Sequence, residues 1–401
     1  MRHFTAFGAL VAALAFSAPL AAEDMPARVP AASLVPGVTA PPMSAEDLVT
    51  LPRLGAPAVN KDGTLAVYSV TMTDPATLKR SPTHYLIDLT KPGAVPVALD
   101  LGLKASDLAF GPDGALYFLS SESTDTAAPA LSRVWRVSLA KDGKAGTPQL
   151  VTPQTARDIA GFKLAPNGAS LAVWGEVPRD CPSFGCADAA TPYTPGPGTG
   201  RLYDNTDGFV RHWDRWASPG LHNRIFVFPL TGGIAAGEGA PVDGRDPATG
   251  ITADTPTMPF GGAEELAFAP DGKALYFTAR LANADEPSST NLDIYVSDLT
   301  GAAPRLLTAA NKAMDTAPVV SPDGRYLAWL AMARPTYEAD RQVVQLLDLR
   351  TGKQRSLTEA VDLSFGSLAW SADGKSLIAT AQKVLDTPTF RIDIASGKVT
   401  E

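Results

Sequence analysis

The sequence predicts an all-β chain, a β-propeller of four-stranded blades. Three observations carry that expectation: a repeated turn motif, its period of about 50 residues, and an apolar strand after each copy. The motif centres on Asp62-Gly63, Asp113-Gly114, Asn167-Gly168, Asp271-Gly272, Asp323-Gly324 and Asp373-Gly374. Successive Asp or Asn positions lie 51, 54, 104, 52 and 50 residues apart, so one double-length interval carries an insertion. A two-residue hairpin turn needs positive φ at both central positions, which Asp, Asn and Gly tolerate best, so each motif is read as such a hairpin. The strand that follows, Leu65-Ala66-Val67-Tyr68 for example, is apolar on both faces, as a strand covered on both sides must be. About twenty to forty residues after most turns comes a further strand, as in Tyr85-Leu86-Ile87 and Val344-Gln345-Leu346, and four strands fit each period. That combination is the mark of a propeller; a β-helix repeats over much shorter spans and a sandwich does not repeat. About six blades are expected, the last incomplete, because Gly397 to Glu401 falls inside what should be its fourth strand.

The flanks are read from composition. Met1-Arg2-His3 is a basic start, residues 4–16 are apolar and residues 17–22 are small, the pattern of a signal peptide over 1–22. The location expected is periplasmic or extracellular, with no membrane span after leader cleavage, since no later run reaches the roughly 18 apolar residues needed. Residues 23–43 form a Pro/Ala-rich tether, and the propeller is assigned to 44–401 with an inserted loop region at about 178–222. Ser44 with Asp47 three residues on is a helix start, and Leu48, Leu51 and Leu54 give it an apolar stripe. A net charge of −8 with no run of Lys or Arg offers no footprint for nucleic acid.

Candidate chemistry is concentrated in the insertion. Cys181 and Cys186 are the only cysteines, and in an exported protein such a pair reads as a disulfide. A zinc site using them with His212 and His222 is the competing reading, but the usual spacing is absent, and no metal or other cofactor is assigned. Arg211, His212, Trp213, Asp214 and Trp216 are candidates for substrate contact, since charges held among tryptophans meet a peptide's charged end well. The structural alternative is that His212 and Asp214 satisfy each other while Trp213 and Trp216 anchor the loop. His84 reads as a strand-edge residue.

The repeats Ala269-Pro270-Asp271-Gly272 and Ser321-Pro322-Asp323-Gly324 resemble both TolB-like propellers and those of prolyl oligopeptidase-family serine peptidases. The segment from Cys181 to Cys186, then Tyr203-Asp204 and Val210-Arg211-His212-Trp213-Asp214-Arg215-Trp216, resembles the loop of secreted dipeptidyl-peptidase-5-like and acylaminoacyl-peptidase-like members. With Met43-Ser44-Ala45-Glu46-Asp47-Leu48 the resemblance covers about residues 43–401. It implies six to seven blades in an intact member and an α/β-hydrolase domain that carries a Ser, Asp and His triad while the propeller screens access to it. These residues hold no Gly-x-Ser-x-Gly elbow; the nearest match, Gly168-Ala169-Ser170-Leu171-Ala172, lacks the last glycine and falls in a propeller strand. The expectation is therefore a substrate-gating propeller truncated before its catalytic domain, with the hydrolase missing or on a separate chain, peptides as substrates of the intact enzyme, and no activity alone. The alternatives are a stand-alone TolB-like periplasmic protein-binding propeller and an enzyme acting from the propeller channel. Against the last, the histidines beyond the leader stand scattered at 84, 212 and 222.

Overall fold

The computed structural model describes residues 43–122, 130–152, 157–179, 183–185, 209–218, 220–235 and 244–401. The leader, nearly all of the tether, Cys181, Cys186, Tyr203 and Asp204 lie outside the described residues. Six antiparallel sheets with four principal strands each follow one another along the chain, spanning residues 53–99, 106–150, 161–235, 253–306, 315–356 and 365–400. Among the described residues no helix is long and apolar enough to cross a membrane.

The chain forms two compact units. One runs to Phe118 and takes in Arg136–Gln149; it holds the first sheet and part of the second. At its start is the helix α1, Ala45–Thr50. The Ser44 hydroxyl accepts from Asp47 N at 3.0 Å while Asp47 Oδ2 accepts from Ser44 N at 2.9 Å, which is the capping box the sequence implies. The apolar stripe, however, is not buried: Leu48, Leu51 and Leu54 are all exposed.

The other unit, Leu119–Trp135 with Leu150–Glu401, holds the third to sixth sheets. Its core explains the two-faced apolar strands. Trp174 and Ile225 of the third sheet pack with Phe277 and Tyr295 of the fourth, while Tyr276, on the fourth sheet's other face, packs with Trp329 of the fifth. Leu330, on the fifth sheet's other face, packs with Phe365 and Ile392 of the sixth. The fourth and fifth sheets therefore bury both faces against their sequence neighbours, which requires the continuous apolar runs.

The turn motif works differently from the two-residue hairpin expected. Only the glycine takes positive φ, +69° at Gly324 for instance, and the preceding Asp or Asn does not. Ser321 N bonds Tyr326 O and Gly324 N bonds Ser321 O, both at 2.8 Å, so the loop holds four residues with the glycine as its one left-handed position. The acid has another task. Asp323 Oδ1 accepts from Arg325 N at 3.0 Å, and Asp113, Asn167, Asp271 and Asp373 do the same two residues on. In the first copy Asn60 takes over, accepting from Thr64 N and Leu65 N.

The sixth sheet is not incomplete. Val399–Thr400 pairs with the strand Thr389–Asp393, and it is as long as the outer strand Arg305–Leu306 of the fourth sheet. Short outer strands are the rule in this fold, so the few residues after Gly397 suffice. The double-length interval holds two excursions. The first joins Ser170–Pro178 to Leu221–Thr231 in the third sheet; its described parts include Phe184, buried with its ring 5.2 Å from that of Phe226, and the hairpin of Arg211–His212 with Arg215–Trp216. The second precedes the fourth sheet and is stapled by Arg224, which donates to Asp246 Oδ2 at 3.0 Å, Ile251 O at 3.0 Å and Ala248 O at 2.9 Å.

Candidate functional site

The hairpin of the first excursion is held by a stack. The Phe209 and His212 rings lie 4.1 Å apart and 5° from parallel, with the Arg280 guanidinium 5.5 Å from the Phe209 centroid. Arg280 is next to last in the strand Leu275–Leu281 of the fourth sheet, and its Nη1 lies 3.1 Å from His212 Nδ1 and 3.3 Å from Met258 O. Because guanidinium only donates, His212 accepts at Nδ1 and carries its proton on Nε2. Burial, and then the Arg280 charge, hold its pKa below the usual histidine value.

This corrects the structural reading of the motif. His212 and Asp214 do not pair; Asp214 is 81% exposed and its nearest cation is Arg215 Nε at 3.8 Å. Trp213 and Trp216 do not anchor the loop either, being 62% and 57% exposed, with the Arg211 guanidinium 5.6 Å from the Trp216 ring. Arg211, Trp213, Asp214 and Trp216 thus form an accessible rim, and Phe209 with His212 is the anchor.

Below the rim lies a pocket of about 70 Å³, whose walls include Glu176, Arg179, His222, Asp254 and Glu286. Sheet pairing sets these in place: Val177 stands opposite His222 and Glu176 opposite Asn223 across the two long strands of the third sheet. Asp254 Oδ1 accepts from Asn223 N at 2.8 Å. Burial pushes the Asp254 carboxyl up to about 6, and burial with the neighbouring Asp254 charge pushes Glu286 to about 7. His222 is driven down to about 4 by burial, then by Arg224 and Arg179. Neither of its ring nitrogens has a hydrogen-bond partner among the described residues.

Sequence reasoning brought Arg211, His212 and Trp216 to one place but missed Phe209, Asp254, Arg280 and Glu286, and it weighed His222 only as a zinc ligand. Among the described residues no cluster of three or more His, Cys, Asp or Glu is arranged to hold a metal. The other singled-out residues lie in sheets. Ser170 opens a strand, its carbonyl accepting from Ala165 N at 2.9 Å, and His84, half-buried, stands opposite Ser69 and Leu99.

No family model matches the sequence. The chain is 26% identical over 359 residues to dipeptidyl-peptidase 5 of Porphyromonas gingivalis, covering 89% of this chain and 48% of that protein. Against dipeptidyl-peptidase 5 of Aspergillus fumigatus it is 27% identical over 369 residues, with 88% and 49% covered. The chain spans about half the length of the curated relatives it matches. Among solved structures, the Pyrococcus horikoshii acylaminoacyl peptidase superposes with a TM-score of 0.54 at 14% identity, over 89% of this chain and 47% of that one, a likeness of fold. Motif, sheet pattern and comparisons agree on the fold: the chain is a six-bladed β-propeller, and the dipeptidyl-peptidase 5 proteins are among its sequence relatives.

Proposed function

We propose that the chain is the substrate-gating propeller of an exported serine peptidase of the dipeptidyl or acylaminoacyl type. The observation that carries this is the match along 89% of the chain to a peptidase of which it covers only 48%. In this reading the hydrolase machinery is supplied outside residues 1–401, on the same or a separate polypeptide. Acyl transfer needs an activated nucleophile and an oxyanion hole placed by a strained turn. Ser170, the serine of the nearest elbow-like stretch, is bound into a regular strand. The propeller's part is to admit peptides and to meet them at the rim of Arg211, Trp213, Asp214 and Trp216. Export through the leader at 1–22 to the periplasm, or beyond the cell, belongs to the same proposal.

The test is hydrolysis of dipeptidyl and acyl-aminoacyl chromogenic substrates by the 401-residue chain freed of host peptidases, repeated with Ser170→Ala and His212→Ala. Turnover at the buffer level is expected. Turnover that survives purification and disappears in either variant contradicts the proposal.

A further inference from the structure

We propose that Asn167 is a deamidation site, and that its carboxamide is a clasp between the third and fourth sheets which the reaction releases. This stands apart from the gating reading and does not use it.

Asn167-Gly168 is the only Asn-Gly pair in the sequence, and it fills the turn position that Asp holds in the other copies of the motif. The acid's task of accepting from the backbone two residues on is met equally by the amide, Asn167 Oδ1 taking Ala169 N at 3.0 Å. What a carboxylate cannot do is donate. Asn167 Nδ2 donates to Asp271 O at 2.6 Å, so the first turn of the third sheet is tied to the first turn of the fourth. Gly272 leaves room for this bond, since a Cβ there would fall 2.5 Å from Nδ2. Lys163 Nζ, donating to Ala263 O at 2.7 Å, is a second tie across the same seam, and Arg280 with His212 fastens its far end.

Asn-Gly is also the pair in which the backbone attacks the side chain most freely, because glycine puts no Cβ beside its nitrogen. Gly168 N adds to Asn167 Cγ, the Cγ–Nδ2 bond breaks, and the nitrogen leaves as ammonia with the proton from Gly168 N. Water then opens the cyclic imide at either carbonyl. Opening at Cγ gives Asp; opening at the backbone carbonyl gives isoaspartate, whose main chain is one carbon longer.

Asn167 is exposed to water, but in the folded turn each reacting atom is occupied. Gly168 N donates to Ala165 O at 2.9 Å, Oδ1 accepts from Ala169 N, and Nδ2 is clasped. The reaction therefore runs through the opened turn, at a rate set by how often the clasp lets go.

The two products act differently on the turn. Asp keeps Oδ1 accepting from Ala169 N, as Asp271 does from Lys273 N, but turns a carboxylate toward Asp271 O and makes the chain one unit more negative than −8. Isoaspartate lengthens the backbone and misplaces the turn itself. Either way the clasp is lost, while the packing of Trp174 and Ile225 on Phe277 and Tyr295 is untouched.

The experiment follows the peptide containing Asn167 by mass spectrometry while the 401-residue chain, its Gly272→Ala variant and a free peptide of residues 163–173 stand in warm, mildly alkaline buffer. The free peptide is expected to convert fastest, and the parent chain about tenfold or more slower. Gly272→Ala, its clasp broken and its fold checked by circular dichroism, should convert about threefold to tenfold faster than the parent. A parent as fast as the free peptide, a parent without product when Gly272→Ala is fully converted, or a variant no faster than the parent overturns the proposal. The aged parent, separated by its extra charge, and Asn167→Asp are then compared with fresh protein by amide exchange. Both are expected to lose protection at residues 165–169 and 269–273 and to keep it at residues 209–218, where Arg280 still holds His212. Unchanged protection in both turns of Asn167→Asp overturns the clasp, and this decides the matter even where Gly272→Ala does not fold.

Discussion

Arg280 Nη1 stands 3.1 Å from His212 Nδ1, and this bond fastens the inserted hairpin to the fourth sheet. Only a neutral histidine accepts it. The folded pKa of His212 is depressed, so the contribution is present above the unfolded value of 6.5 and is lost as pH falls through the lower folded value. Amide exchange across residues 209–218, corrected for intrinsic rates, is therefore expected to accelerate between about pH 7 and about pH 5. Arg280→Met is expected to show the fast rate at both. Equal protection in the variant and the parent contradicts this.

Buried acids set an unusual pH dependence of stability. Asp254, Glu286, Asp315 and Glu265 are raised to about 6, 7, 7 and 8, in each case chiefly by burial. Raised acids contribute stability that is complete below their unfolded values, near 4, and is lost as pH rises through the folded ones. His222, lowered to about 4, works the other way, its contribution fading as pH falls from 6.5 toward that value. The thermal midpoint is expected to peak in mildly acid solution and to decline toward pH ~8. Glu265→Gln keeps an acceptor for Thr257 N and removes the buried charge, so it should gain about 1 to 3 kcal/mol at pH ~8 and flatten the profile. Melting curves from pH ~5 to ~8 decide; a midpoint climbing steadily to the alkaline end refutes the assignment.

Two glycines of the same motif are expected to differ. At Gly374, φ +66°, an added Cβ meets Pro322 Cδ at an ordinary 3.7 Å. At Gly272, φ +70°, it falls 2.5 Å from Asn167 Nδ2, which is bonded to Asp271 O at 2.6 Å. Both alanine variants carry the left-handed strain, but Gly272→Ala also breaks a bond between the turns of two sheets, and it should cost about 1 kcal/mol more in urea unfolding. In an Asn167→Ala background the difference should vanish; if it persists, the clash lies elsewhere.

Arg224 is buried and holds the second excursion through Asp246 and two carbonyls. Arg224→Met leaves the Asp246 carboxylate and those carbonyls without their donor, an expected loss of about 3 kcal/mol. Lysine cannot reproduce the fork, so Arg224→Lys should recover less than half of it. Full recovery by lysine in denaturant melts shows that charge alone matters there.

The blades were readable from sequence because their signals are local. A glycine such as Gly324 must adopt positive φ, an acid such as Asp323 must catch the backbone two residues on, and Tyr326 to Ala331 must be apolar on both faces. The site was only half readable. The cluster from Arg211 to Trp216 announced itself by composition, yet its partner Arg280 is 68 residues away and comes close only through sheet stacking. Asp254 and Glu286 sit in segments without the repeat, where nothing local separates a buried acid from a solvated one. The turn geometry was misjudged because Asp-Gly fits both a two-residue hairpin and a four-residue loop, and the register of the flanking strands, not the dipeptide, decides between them.

On the function proposed above, this propeller serves a serine hydrolase whose nucleophile lies outside residues 1–401. The most direct measurement is to isolate the native protein with an antibody raised against the propeller, treat it with a fluorophosphonate probe, and sequence the labelled peptide. Label is expected on a serine absent from these 401 residues, on the same polypeptide or one held firmly with it, and none on the 401-residue chain alone. Label on a serine within these residues, or native protein with no labelled serine at all, contradicts it.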